Sequence, residues 1–421
     1  MRTVLISTSD IGNGAGVAAF RLNRALREAG VDSAMVVSQK FSDNENVYPA
    51  REKLSGAAGR FFDKAMHFVE YHVNRLGPQC VYSVNAAGLE RNGQVRAADV
   101  VNFHNIHMEV DNLSLLSILS VSREKPVVWT AHDMWPFTGH CFYPGDCARW
   151  ETGCGGCPDL KIFVSLGLDT TRMQCALKRF IYRKAGPVIV TPSKWLAGIA
   201  RRSPLTDGCD VRVIHNGVDT DVFIPMNKKR SRERLGSAPT GKLVMLGTLA
   251  AADPRKSLRQ LVEALMILKR REEDVSLLVV GPYDVPEELS GNFRVVKTGR
   301  VFGEEEMATA YSAADIYVMS SLQENLPNMA LESLSCGTPV VCFDAGGTGE
   351  IVKHMSNGYL APRGDVKALA EGMSACLDDP ILLEKMGKRG RQDIKDDFSA
   401  SLMADRYAEL YGELIEKRKA R

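Results

Sequence analysis

The feature that most constrains this chain is a pattern repeated along its length: a short, almost uninterrupted apolar run, a polar or glycine-bearing turn, then apolar residues at helical spacing. In the first half such runs lie at 4–7, 33–37, 100–103, 127–130 and 188–191. In the second they lie at 243–247, 276–280, 295–298, 316–319 and 340–343. Runs apolar on both faces predict strands covered on both sides, and the helical spacing between them supplies the crossovers that parallel strands require. The fold class predicted is α/β, with two parallel sheets. The run at 4–7, the turn that follows and a helical pattern from 17 to 29 ending at Gly30 form the opening of a βαβ unit.

With 421 residues, 45% of them hydrophobic, the chain has enough apolar material for two separate cores. The boundary is predicted near 215, giving domains at 1–215 and 216–398, with the polar, proline-containing stretch 219–241 read as a linker. A terminal segment, 399–421, carries Leu402, Tyr407, Leu410, Tyr411 and Ile415 at helical spacing and is long enough to cross back onto the first domain. The 53 Lys and Arg nearly balance 51 Asp and Glu, so no global basic field marks nucleic acid as a partner. Residues 1–8 are too short for a signal core, and no segment reaches the roughly 18 apolar residues of a membrane span. The expected location is cytoplasmic, with the inner face of the membrane the alternative.

The chemistry-bearing residues fall in loops after the predicted strands. After 316–319 comes a loop with Glu324, Asn325, Leu326 and Pro327, then a helix that Gly337 stops; Glu332 lies about two turns in. Amides near 326–330 would face an anion with the positive end of the helix dipole behind them. Two carboxylates flanking such a site suit hydroxyl pairs on a sugar and a ribose. On spacing alone, the plainer reading is one loop Glu and one helix-face Glu. After the first strand of the second half come Asp253, Pro254, Arg255 and Lys256, two cations that could neutralise a diphosphate or lie as solvated surface.

Glu324 and Glu332, separated by seven residues, and the run Glu332-Ser333-Leu334-Ser335-Cys336-Gly337-Thr338-Pro339-Val340 resemble the retaining glycosyltransferases of family four. The resemblance implies a GT-B fold, two Rossmann-like domains facing a central cleft, and transfer from a nucleotide-diphosphate-sugar with no catalytic metal. It implies that Glu324 lies against the donor sugar, that Glu332 binds the ribose and that Lys256 meets the diphosphate. Many relatives have an Arg where this chain has Thr248, which leaves Arg255 as the candidate second cation. Gly14 and Gly16, in the turn from Asp10 to Val17, match the family's glycine-rich donor loop; the alternative is a tight turn without a ligand. His132, in Thr130-Ala131-His132-Asp133, matches a segment that contacts the donor sugar. Val301, beside Gly299-Arg300, falls near the expected base pocket, and the glycines of 344–350 would allow a ligand close to the backbone.

Cys141, Cys147, Cys154 and Cys157 crowd the loop 141–157. Four thiols at this spacing suit a structural zinc; disulfides, an iron–sulfur cluster or free thiols are the alternatives. The arrangement resembles a colanic-acid-type subset of the family from bacterial exopolysaccharide assembly. By that analogy the expected acceptor is a saccharide, free or linked to a polyprenyl lipid. Segment 60–76 pairs an apolar face with Arg60, Lys64 and His67, which suits either an anionic membrane surface or core packing. Two other functions share the fold: a nucleotide-sugar epimerase, and a binding protein without turnover.

Overall fold

The computed structural model describes all residues except 52–55, 78, 82, 84–88, 109–111, 163–164, 237–240, 248–252, 272–273, 300, 302 and 421. Thr248 and Arg300 therefore lie outside the described residues. The chain divides into two compact units, Met1–His215 with Met403–Arg421, and Asn216–Leu402.

The first unit is built on strands β1 (Arg2–Ser9), β2 (Asp32–Gln39), β3 (Val47–Pro49), β4 (Val100–Phe103), β5 (Val127–Thr130), β6 (Val188–Thr191) and β7 (Val211–Val213). They pair in parallel in the order β3-β2-β1-β4-β5-β6-β7. The second has β8 (Lys242–Leu246), β9 (Val275–Val280), β10 (Arg294–Gly299), β11 (Ile316–Met319), β12 (Val340–Phe343) and β13 (Gly358–Ala361). These too are parallel, ordered β10-β9-β8-β11-β12-β13. All ten apolar runs fall on strands. The three strands that no run announced, β3, β7 and β13, all sit at sheet edges. An edge strand is covered less completely, so Val211-Arg212-Val213 is only half-buried and shows no continuous apolar signal.

In each sheet the chain runs outward on one side of its first strand and then returns to the other side. This places a switch point between β1 and β4, and a second between β8 and β11. Ligands of open parallel sheets settle at the carboxyl ends of strands beside such points, where loops diverge and helix N-termini converge.

Within the helix Ala400–Lys419, Tyr407 and Tyr411 are buried in the first unit. Tyr407 Oη shares a hydrogen bond of 2.9 Å with Thr130 Oγ1, and Asn102 Nδ2 donates to Tyr411 Oη at 2.8 Å. Arg212 forks onto both carboxylate oxygens of Glu413 at 2.5 and 2.8 Å. These bonds tie the end of the chain to β4, β5 and β7. The stretch 219–241, read as a linker, is instead part of the second unit's fold: it holds the helix Lys228–Arg234, and Arg232 donates to Asp315 at 2.8 Å. Lys228 and Arg232 both pair with Asp315 of that unit, while Lys229, Arg230, Glu233 and Arg234 are exposed.

Candidate active site

The loops after β8 and β11 meet beside the switch point of the second sheet. After Leu246 the chain reaches Asp253, whose side chain caps the short 3₁₀ turn Pro254–Lys256 by accepting the Arg255 amide. The two loops are stitched together by Leu322 N–H to Arg255 O at 2.7 Å and Ser320 Oγ to Lys256 O at 2.8 Å. Lys256 Nζ thereby reaches Glu324 Oε1 in a short charge-assisted hydrogen bond, with both side chains largely buried. Arg255 is held differently. Its guanidinium forks onto Asp253 at 2.7 and 3.1 Å, so its charge is already matched by its own loop.

Glu324 is fixed from behind as well. Gly346, after β12, has φ +72, and a Cβ there would stand 1.9 Å from the Glu324 carbonyl oxygen; Gly347 N–H donates to that oxygen at 3.0 Å. Gly346 thus admits the Glu324 backbone itself, whereas a Cβ on Gly349 would meet Asp344 and Leu360. Asn325 and Leu326 are buried beside it. Pro327 precedes the helix Asn328–Ser335, which begins with no side-chain cap. Glu332, buried in that helix, accepts the Tyr311 hydroxyl at 2.8 Å. Val301 is half-buried after the edge strand β10. A cavity of about 760 Å³ in this unit lies elsewhere, at the amino ends of the strands near Lys242, Asp315 and Thr338.

In the first unit, Asn13 caps the helix Gly14–Glu28 by accepting Gly16 N–H at 2.8 Å. The two glycines differ. A Cβ on Gly16 would lie 2.7 Å from Ser9 O, so Gly16 serves helix–strand packing; nothing stands within 4 Å of a Cβ on Gly14. Asp10, unremarked in the sequence, is fully buried and accepts amides from Ile11, Phe41 and Ser42 at 2.8 to 2.9 Å. Burial alone would raise its carboxyl; the hydrogen bonds from Ser42, Phe41 and Ile11 outweigh that and lower it.

His132 follows β5 and is engaged by residues that sequence reasoning passed over. His104 Nδ1 meets His132 Nε2 at 2.9 Å, the rings stacking at 5.2 Å. Burial holds His132 down to about 4, against the pull of Asp133 and with His107 adding to the depression. His104 is likewise pushed well below the usual imidazole range by burial and then by His132. Next to them, His107 Nε2 binds both oxygens of Asp133 at 2.9 and 3.1 Å and stacks on Trp135 at 4.4 Å. Lys178, fully buried, donates to the carbonyls of Trp135 and Thr138 at 2.6 and 3.0 Å and lies 3.3 Å over the Trp135 ring. Burial lowers it to about 8. The available signal was His104 and His107 just past the run at 100–103, the position that makes His132 noteworthy after 127–130.

Cys141, Cys147, Cys154 and Cys157 line one small cavity of about 20 Å³ with His140. All four are free thiols. Gly139 N–H points at Cys154 Sγ at 3.2 Å, and His140 Nε2 stands 3.3 Å from Cys157 Sγ. Among the described residues, no group of three or more His, Cys, Asp or Glu side chains is arranged to hold a metal ion.

Two Rossmann-like α/β units, with a lysine–carboxylate pair at the switch point of one and a histidine cluster after the central strands of the other, define a GT-B type glycosyltransferase. The chain belongs to glycosyltransferase family 4: residues 12–222 match the family described as Glycosyltransferase Family 4, and residues 240–379 match Glycosyl transferases group 1. It is similar to the putative colanic acid biosynthesis glycosyl transferase WcaC of Escherichia coli K12, 26% identical over 335 residues, 75% of this chain and 76% of that one. Matches to several other curated relatives span about half to two thirds of their length. In fold it is similar to sucrose-phosphate synthase from Thermosynechococcus elongatus, with a TM-score of 0.64 at 16% identity over 99% of this chain and 100% of that one. It also resembles Anabaena Alr3699/HepE, solved in complex with UDP and glucose, with a TM-score of 0.62 at 16% identity over 98% and 100% of the two chains.

Proposed function

We propose that this glycosyltransferase takes a sugar from a nucleotide-diphosphate donor and passes it, with retention, to a saccharide acceptor carried on a lipid in surface-polysaccharide assembly. The observation that carries the donor half is the Lys256–Glu324 pair at the β8/β11 switch point. A partly buried ammonium is suited to the charge that grows on a departing diphosphate, and in the absence of ligand Glu324 balances it. Arrival of a diphosphate gives Lys256 a new anionic partner and releases Glu324 to hydrogen-bond sugar hydroxyls. Glu332, oriented by Tyr311, is assigned to the ribose. Arg255 is bound by Asp253 and is assigned a supporting role in shaping the loop.

In the transfer, the acceptor hydroxyl oxygen bonds to the anomeric carbon as the bond to the diphosphate oxygen breaks. The hydroxyl proton passes to the leaving diphosphate, whose charge Lys256 stabilises. His132 is neutral above about pH 4, so it is assigned a hydrogen bond to a sugar hydroxyl and not the delivery of a proton. Gly14, open at its Cα, is assigned to backbone approach by the donor. For the thiol-rich loop we retain a structural zinc, on the strength of four thiols sharing one cavity. The acceptor half is supported by similarity to the E. coli relative in colanic acid biosynthesis, and for a lipid-carried acceptor we assign the reaction to the cytoplasmic face of a membrane.

The test is Glu324→Ala, assayed for transfer and for nucleotide affinity. Loss of transfer with affinity for the free nucleoside diphosphate nearly unchanged is expected. Unchanged turnover would remove Glu324 from the reaction.

A further inference from the structure

The helix Gly56–Leu76 presents its faces in the reverse of the usual order. Its carboxylates and Asn74 turn inward: Glu70 and Asn74 are buried, Asn74 Oδ1 accepting the Cys80 amide at 2.9 Å, and half-buried Asp63 pairs with Arg51 at 2.5 Å. Its large apolar residues turn outward, with Phe61 75% exposed, Phe68 66% and Leu76 57%. Phe61, Ala65, Phe68, His72 and Leu76 follow one another at steps of four and three, a single stripe along the helix. Phe62, Val69 and Val73, also exposed, lie beside it. The stripe continues past the helix end, where Gly167 N–H donates to Arg75 O at 2.7 Å and Leu168 stands 57% exposed. Apolar surface of this extent and continuity on a folded unit marks a contact with something else.

Charge identifies the partner. Arg60 and Lys64 are exposed on the flank of the stripe. The helix Thr171–Ala185 is joined to the same corner by Thr170 Oγ1 to Gly77 O at 3.2 Å and Gln174 Nε2 to Gln79 O at 2.9 Å. It adds exposed Arg172, Arg179, Arg183 and Lys184, and its sequence contains no acidic residue. Among the described residues, neither helix exposes an unpaired carboxylate. A second copy of the chain would meet this face with the same face, setting cations against cations. An anionic bilayer neutralises the cations and takes the phenylalanines into its interface.

We propose that the outer face of Gly56–Leu76, extended by Leu168 and flanked by the cations of Thr171–Ala185, is the surface by which the enzyme lies on an anionic membrane. This gives a place to the lipid-carried acceptor of the proposed function, but its test does not need that acceptor. The full-length protein is sedimented with phosphatidylcholine vesicles, with and without about one third phosphatidylglycerol. Wild type should bind the anionic vesicles and only weakly the neutral ones. Phe61→Ser with Phe68→Ser should lower binding roughly tenfold or more. Lys64→Ala should lower it about fivefold, with the difference shrinking at high salt. Because these side chains are exposed, the variants should melt as wild type and should transfer normally to a water-soluble acceptor; loss of that transfer in wild type would count against the proposed reaction and not against the surface. Equal vesicle binding by wild type and the double variant would overturn the proposal. So would a dimer in sedimentation equilibrium that the double variant abolishes, which would give this face to a second copy.

Discussion

Replacing Gly346 by alanine should damage both stability and transfer, and its magnitude can be worked from the backbone. Gly346 has φ +72, which costs an alanine about 1 kcal/mol or more relative to glycine. The added Cβ would lie 1.9 Å from the Glu324 carbonyl oxygen, where contacts below 3.0 Å are essentially never seen, so the Glu324 loop must retreat by about 1.1 Å (3.0 − 1.9). Overpacking of this kind typically adds about 1–3 kcal/mol, because backbone and not a flexible side-chain tip must move. The total, roughly 2–4 kcal/mol, corresponds to a fall in Tm of roughly 4–16 °C for a unit of this size. A displacement of about 1 Å at a group that orients substrate can cost about 100-fold in kcat/KM. Gly349→Ala is the control: a Cβ there meets Asp344 Oδ1 at 3.1 Å, a side-chain atom that can turn away, and its φ is not left-handed. Melting curves and transfer kinetics of both variants should separate them clearly. Should Gly346→Ala melt and turn over like Gly349→Ala, the view that Gly346 exists to seat Glu324 is wrong.

Further outcomes follow from the first unit. His132, held to about 4, and His104, held low by burial, are neutral in the native protein, whereas both titrate near 6.5 once unfolded. Between about pH 6.5 and 4 the unfolded chain therefore binds more protons, and stability should fall with falling pH by up to about 1.4 kcal/mol per unit for each imidazole. Denaturant titrations across that window should show a shallower slope for His104→Asn; an identical slope would mean that His104 is not buried neutral. Elemental analysis of protein purified without chelator should find about one zinc per chain, released together with four reactive thiols and a lower Tm. Zinc-free protein with the same Tm and all four thiols reactive would leave the loop as unpaired cysteines.

The α/β class and both parallel sheets were legible because central parallel strands are apolar on both faces, and their short runs recur between turns and helical patterns. Of the edge strands, β3, β7 and β13 show no such run, whereas β10 does. Lys256 and Glu324 could each be singled out in loops after separate strands, but their separation of 68 positions conceals their contact, which follows from β8 and β11 being neighbours. The same holds for His104 and His132, brought together through the pairing of β4 with β5. As bare residues Arg255 and Lys256 look alike, and the family resemblance singles out Lys256; the fork to Asp253 adds what holds Arg255. The charged stretch 219–241 was misread because a partly buried Arg–Asp pair on a largely exposed helix has the same composition as a solvated linker.

Calorimetric titration of nucleoside diphosphates into wild type and Lys256→Ala tests the central claim most directly. One nucleoside diphosphate should bind wild type, NAD(H) should not, and the variant should bind that nucleotide roughly 10- to 100-fold more weakly, the loss of one charge-assisted contact. Equal affinity in the two proteins, or a response to NAD(H) alone, would contradict a donor diphosphate seated on Lys256.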